Sequence, residues 1–530
     1  MNKFAGSIFI LAIIIISILA GTYVYKENKN TKNVKQAEEK IVKKNDLRLA
    51  VLNLDTFNPI YSKNRYVRFM SSLFYDGLIK LDENYMPKLL LAESIEKKQN
   101  LEYQIKLKDV KWNRMEEKLS SEDVSFTIEK IKEFGGVYGD NVKNINELKI
   151  LDDKTFSIIL SKPDPFFVYN LTFPILKKTD NKLFKDAKKY GVPHGIGKYF
   201  LSKVENNNLI FKLNPNYFEY KVETGQKEEP YIKEIIVKRF SSGESLYGDF
   251  KSGEIDVLET EKNDLEGFLG NYGYIQSSKK GRDFTFVAFN CEKINNKDFR
   301  KAVSYILDIP IILNELNKSI MDSSYILDYG SFAYSKEISF EKNLGQAKTL
   351  LEKAGFVQKE GKWMDGKNEL ALNILVNKGD ANNIKSAEII KRQMENFGIK
   401  MDISLKDKED YKKDILDKKY NIAIMSVRNS FNPDISNFLG EKNYFNYINP
   451  NILELLKQIQ NSNSINEGLD EMSKEIKGIY KKIEEIYMDE VPFIPLYRNK
   501  INFLISTGLN LEGNINLNNI FQNIEKSYRK

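Results

Sequence analysis

The sequence predicts an α/β protein built from two or three domains. Its 530 residues exceed what one hydrophobic core holds. Between Leu370 and Met425 apolar strand-like runs alternate with amphipathic helical stretches, the order a doubly wound lobe requires. Two of the helices, Ala347 to Gly355 and Lys385 to Phe397, close on glycine, and the second runs straight into the strand Ile399 to Ser404.

Composition narrows the function. A hydrophobic share of 42% with 12% aromatics can fill sizeable cores and is not that of a disordered chain. The net charge of +7 arises from 81 basic and 74 acidic residues without a long single-sign block, so it reads as solvated surface and not as a nucleic-acid interface. One cysteine, Cys291, allows no intramolecular disulfide, and within FTFVAFNC it reads as a buried, inert thiol. One histidine, His194, rules out a histidine-rich metal site and a Cys/His cluster. No GxSxG, Walker A, HExxH or GxGxxG motif occurs, and the lone Gly195-Ile196-Gly197 opens no helix. The expectation is a non-enzyme without cofactor or metal.

Phe4 to Tyr25 is a run of 22 uncharged residues between Lys3 and Lys26. As a helix it would extend about 33 Å, enough to cross a hydrocarbon core. Ile18-Leu19-Ala20-Gly21 resembles the start of a lipoprotein signal, but Thr22 stands where the lipid-bearing cysteine would follow. Residues 1–25 are therefore read as an uncleaved signal anchor, with a cleaved signal peptide as the competing reading. Lys26, Lys29, Lys32 and Lys35 outnumber Lys3, which by the positive-inside rule favours a cytoplasmic domain. Long domains translocate despite such charge, so the expectation is a cell-membrane protein with its large domain outside the cytoplasm. Residues 26–45 are Lys/Glu/Asn/Gln-rich and read as a flexible tether.

The folded part opens with the strand DLRLAVLN at 46–53, a loop from Asp55 to Asn64, and helical spacing from Tyr66 to Phe74. Ile79 to Leu81 is a short strand, and LEYQIKL at 101–107 alternates like another. Ser120 to Asp123 caps the helix VSFTIEKIKEF, and residues 147–162 form a hairpin about Asp152-Asp153-Lys154. Gly253 marks a tight turn before a strand. Ile422 to Met425 has the length of a buried strand that gives way at Ser426 to polar residues as far as Asn432, closed by Pro433. A strand ending in a polar loop is where α/β proteins place ligands.

Several blocks in order carry a family resemblance. They include LEYQIKLKDVKW (101–112), SSEDVSFTIEKIK (120–132), DDKTFSIILSKPDPFFVYNL (152–171), HGIGKYFLSKVE (194–205), FKSGEIDVLE (250–259), KDFRKAVSYILDIPIIL (297–313), YNIAIMSVRNSFNPD (420–434) and YKKIEEIYMDEVPFIPLY (480–497). In shared order and spacing, from about 46 to 505, the chain resembles the dipeptide/oligopeptide-type (family 5) extracytoplasmic solute-binding proteins of ABC importers. The resemblance implies a two-lobed, periplasmic-binding-protein-like α/β clam with an extra subdomain in lobe one, which closes on a ligand and acts as a monomer. Lobe one would span 46–283 with an inserted subdomain at about 81–177, lobe two 284–490, and 491–530 would return to lobe one and form the tail. Its partners would be a small peptide-like solute, ABC permease subunits and, through the N-terminal helix, the membrane.

The resemblance also implies two ligand-facing stretches. One is Tyr61, Ser62, Lys63, Asn64, Arg65 and Tyr66; the other is Ser426, Arg428, Asn429, Ser430 and Phe431. Peptide binders of the family carry an aspartate four residues before the proline, which pairs with the peptide's ammonium group; here Asn429 stands there, and Ser426 replaces a large aromatic. Lys63, Arg65 and Arg428 together would favour an anionic solute. Phe299 to Ala302, His194, Trp112 and Trp363 read as structural. The alternatives are a receptor-like or degenerate member without transport, and a binder of a non-peptide anionic solute.

Overall fold

In the computed structural model, the described residues are 44–530 apart from 181–193, 220–221, 224–225, 228–229, 261–264, 266–268, 271–272, 317–318, 335–337, 339, 463–468, 512–514, 516, 518, 522–523 and 525–526. The expected anchor and nearly all of the tether lie outside them. Among the described residues no helix is long and apolar enough to cross a membrane.

Alternation of buried and half-buried side chains makes β1 (Asp46–Leu52) a strand with one face on the core. Helix α1 (Arg65–Ser71) follows; it ends before Phe74, three residues short of the helical spacing. An antiparallel sheet comes next, in the order β2 (Ala92–Gln99), β3 (Glu102–Leu107), β5 (Thr155–Leu160), β4 (Ile145–Ile150). Between its strands runs α2 (Ser121–Phe134), started by a capping box in which the Ser120 N–H donates to Asp123 Oδ2 at 3.0 Å. The chain then pairs β6 (Tyr199–Glu205), β7 (Asn208–Leu213) and β8 (Glu234–Phe240) with β1, in the order β1-β8-β7-β6. Gly195 packs beneath them, where an added Cβ would lie 1.9 Å from the Phe74 carbonyl oxygen, so the GxG is a close-packing device.

The largest sheet has the order β9 (Val257–Thr260), β14 (Phe493–Ser506), β10 (Tyr274–Phe289), β13 (Ile422–Arg428), β11 (Ala371–Asn377), β12 (Lys400–Lys406). Helices α4 (Ala381–Asn396) and α5 (Lys408–Leu416) connect β11, β12 and β13, which run parallel as the doubly wound pattern requires. Helix α4 begins at Ala381 and not at Lys385, because the Asp380 carboxylate caps the Asn383 N–H at 3.0 Å. Strand β13 continues to Arg428, three residues beyond the predicted stop at Met425. Its partner supplies the reason: Thr285, Phe284 and Asp283 of β10 extend the ladder opposite Ser426, Val427 and Arg428.

Strands β10 and β14 are unusually long and antiparallel, and their ladder has two parts. Tyr274–Lys280 pairs with Lys500–Ser506, and Phe284–Ala288 pairs with Phe493–Arg498, with a register shift between Lys280 and Phe284. At the shift the Asp283 N–H donates to Asn499 Oδ1 at 3.0 Å. Gly281 makes room for that side chain, since a Cβ there would sit 2.0 Å from the same oxygen. Helix α3 (Lys297–Ile306) follows β10, and its buried Arg300 donates to the carbonyls of Glu490, Ile294 and Asn295, tying α3 to the end of α6 (Leu469–Glu490).

The stretch from Asn84 to Lys97, which leads into β2, also touches the second half of the chain. Asn84 C=O accepts from the Phe332 N–H at 2.8 Å, Lys88 pairs with Asp470 at 2.7 Å, and Lys97 Nζ donates to the Ser462 carbonyl at 3.3 Å.

Candidate functional site

The loop from Asp55 to Tyr66 is held mostly by its own hydrogen bonds. Ser62 is fully buried, and its hydroxyl donates to both Asp55 carboxylate oxygens at 2.8 and 3.1 Å. Asn64 is the N-cap of α1: its Oδ1 accepts from the Tyr66 N–H at 2.9 Å, while Nδ2 donates to the Leu52 and Asn53 carbonyls. Arg65 lies 3.4 Å from Glu259 on β9 and over the Tyr66 ring. Tyr61 packs edge-on against Phe134 at the end of α2, and burial, then Glu133, push its hydroxyl up to about 12. Lys63 is exposed. Beside Tyr66 is an apolar gap of about 30 Å³, lined also by Phe69, Val257 and Phe521. That is room for a single water and not for a solute.

The other predicted stretch sits where β13 leaves the sheet. Ser426 faces Thr285 across the ladder, their hydroxyls 2.8 Å apart, and accepts from Asn383 Nδ2 at 3.2 Å. Asn383 in turn accepts from the buried Tyr497 hydroxyl at 2.6 Å. The Asn429 N–H donates to the Arg282 carbonyl and its Nδ2 to the Ile326 carbonyl at 2.8 Å. Its Oδ1 is buried and has no partner among the described residues. The amide is thus locked in place with one acceptor open, which can take an N–H but carries no charge to offset an ammonium ion.

Around Asn429 the charges are positive. Arg282, inside the β10/β14 register shift, donates from Nη1 to the Asn429 carbonyl at 3.2 Å. Its guanidinium lies 4.2 Å from the centre of the Phe431 ring, which also stacks on Tyr85 at 5.0 Å. Arg428 is 63% exposed and its nearest acid, Asp283, is 3.7 Å away. Burial, followed by the charges of Arg428 and Arg68, lowers the Arg282 pKa to about 10. Ser430 is exposed, its hydroxyl turned to Asn432 Oδ1 at 2.6 Å.

Below this surface Arg498 of β14 is buried against Asp328 at 2.6 Å and lies over Phe284 and Tyr329. Asp328 also takes Lys280 at 3.1 Å and the Ser323 hydroxyl. Burial alone would raise the Asp328 carboxyl; Arg498 and Lys280 outweigh it and hold it below the usual carboxylate range.

The structure thus groups Ser426, Arg428, Asn429 and Phe431, and separately Tyr61, Ser62, Asn64, Arg65 and Tyr66. It adds Arg68, Arg282, Tyr85, Tyr329 and Asn383, which the sequence reading did not single out. The available signal for Arg282 was the run Lys279-Lys280-Gly281-Arg282-Asp283, set between two strand-like segments. Cys291 is buried, with its thiol pushed up to about 11 chiefly by burial. His194 Nδ1 lies 2.9 Å from Asp180, and both tryptophans are core residues.

Solved structures share this fold. A periplasmic murein tripeptide binding protein, MppA, in an unliganded open form superposes with a TM-score of 0.77 at 19% identity, over 92% of this chain and 97% of that one. NikZ from Campylobacter jejuni, in complex with Ni(L-His), gives 0.56 at 22% identity, over 92% and 100%. Among curated proteins, the oligopeptide-binding protein AppA of Bacillus subtilis (strain 168) is 23% identical over 372 residues, 65% of this chain and 66% of AppA. A dipeptide-binding protein of Lactococcus lactis subsp. cremoris is 25% identical over 273 residues, 43% of this chain and 47% of that protein. The chain thus aligns with about two thirds of AppA and about half of the Lactococcus protein. A family model described as bacterial extracellular solute-binding proteins, family 5 (middle), matches residues 86–445. The chain belongs to that family.

Proposed function

We propose that this protein captures a peptide-like or other small solute between two lobes and hands it to an ABC permease, without making or breaking a bond. The observation that carries the reading is the β10/β14 pair. One part of their ladder is flanked by β9 and the other by β13, and it loses register at 280–284, where the Asn429 N–H meets the Arg282 carbonyl. Such a two-strand joint absorbs lobe closure while each half stays rigid. On this reading lobe one is 46–283 with its insert at 81–177, lobe two is 284–490, and 491–530 returns to lobe one. Residues 1–25 anchor a monomer at the cell membrane, with the lobes outside the cytoplasm. The AppA and Lactococcus names support a peptide-like ligand, and the missing charge at Asn429 favours a ligand bound by something other than its amine.

The test is mass spectrometry of whatever co-purifies with the full-length protein, paired with uptake of the identified solute in cells with and without it. A stoichiometric small solute whose uptake falls on deletion supports the reading. A solute that binds but whose uptake is unchanged replaces transport with a receptor-like role, and a protein that binds nothing is a degenerate member.

A further inference from the structure

Resting on the proposed binding role, we infer that the solute is anchored through an oxyanion held by Arg282 and Arg428, with its adjoining body against Phe431. The sequence pointed to a different set, Lys63, Arg65 and Arg428. Of these, Arg65 already has Glu259, and Lys63 stands exposed on the loop of the other group.

The argument starts from charge. Arg282 and Arg428 come from neighbouring strands at one end of the β10/β13 ladder, where Arg428 is registered with Asp283. Arg68 projects from α1 and is near enough for its charge to act on Arg282. Among the described residues one carboxylate, Asp283, stands against these guanidinium groups, at 3.7 Å from Arg428 and so beyond hydrogen-bond length. The other acids of the neighbourhood are committed. Asp328 is occupied by Arg498 and Lys280, and Asp322 lies 3.6 Å from Lys280. Arg282 keeps one hydrogen bond to a carbonyl and a contact with an aromatic face. A guanidinium has five N–H donors, so among the described residues most of its donor capacity has no acceptor.

Burial makes the imbalance informative. An exposed arginine needs no counter-ion, but a half-buried one whose proton affinity is lowered by burial and then by two like charges gains from an anion. The planar fork of Arg282 and the freely exposed Arg428 suit a carboxylate or a phosphate, each taken by paired N–H···O bonds. The Phe431 ring, with Arg282 over it and Tyr85 stacked on it, and with the Tyr329 hydroxyl reaching its carbonyl, is held so that its edge meets the atoms next to the anion. Asn429 Oδ1 remains to accept one uncharged N–H. The same surroundings repel an ammonium group, the charge that peptide binders neutralise here.

The test uses the full-length protein and thermal shift at constant ionic strength. The probes are a tripeptide, its N-acetyl free acid, its C-terminal amide with free amine, benzoate and inorganic phosphate. The expected result is a Tm rise with the N-acetyl free acid and none with the amide. Apparent affinity should drop about tenfold or more in Arg282→Gln and in Arg428→Gln, the loss of a charge-assisted bond. Arg428 is exposed, so its variant keeps the fold even if Arg282→Gln does not. A rise with phosphate and not with carboxylates assigns a phosphate ester as the source of the oxyanion. Equal rises with the amide and the free acid, or variants that bind as well as the parent, overturn the inference and leave solute binding standing. If no probe raises Tm and no molecule co-purifies, the binding role fails first.

Discussion

The loop at 55–66 and the strand exit at 426–431 look alike in sequence, both polar, aromatic and basic. Folded, they differ in what they have left over. In the first, Asp55, Ser62 and Asn64 bond to one another or to β1, and Arg65 has Glu259. In the second, among the described residues, Asn429 keeps a buried acceptor with no partner and Arg282 and Arg428 lack a full counter-charge. Polar composition marks where a ligand could sit; unspent hydrogen bonds and charge mark where the fold has kept room for one.

Mutation can break or sharpen this contrast. The largest effect belongs to the layer beneath the strand exit: Asp328→Ala strands a fully buried Arg498 and should cost about 3–5 kcal/mol in urea unfolding. A cost under about 1 kcal/mol would mean that the pair is not buried in solution. Next comes a carboxyl just after α1. Asp76, bonded by the Tyr217 hydroxyl, is pushed up to about 7, mainly by burial. The folded chain therefore holds a proton that the unfolded chain releases near pH 4. Stability should fall as pH rises from about 4 to about 7, then level off. Asp76→Asn should remove that slope and be the more stable protein at about pH 8, with the two equal below about pH 4; a parallel slope in both would refute the assignment. On the saturated side, Asn64→Ala loses a helix cap and two loop tethers and should cost about 1–2 kcal/mol. The smallest effect is Arg428→Ala, expected within about 0.5 kcal/mol because the residue is exposed. If Arg428→Ala costs as much as Asn64→Ala, the two stretches do not differ as described.

Much of the fold was legible because it rests on local signals. The box at Ser120–Asp123, the hairpin at 151–154 and the β-α-β-α-β run to β13 are written in residues a few positions apart. The misplaced ends were set from a distance. Strand β13 outran its apolar stretch because Thr285 and Asp283, far away in sequence, offered it a ladder. The site was less legible for the same reason. Nothing near Ser62 announces that Asp55 will consume its hydroxyl, and nothing near Arg282 says that it will meet Phe431 from the next strand. Charge in a sequence is local, but its neutralisation is tertiary.

The long return of β14 also fixes when this molecule can finish folding. Residues 502–505 complete β9, residues 500–506 the first half of β10, and 493–498 the second half. Arg529, almost the last residue, bridges to Lys44 and pairs with Asp46 at the start of β1. A nascent chain therefore lacks a central strand of its largest sheet until residues 493–506 have been synthesised. Contacts so remote in sequence form slowly.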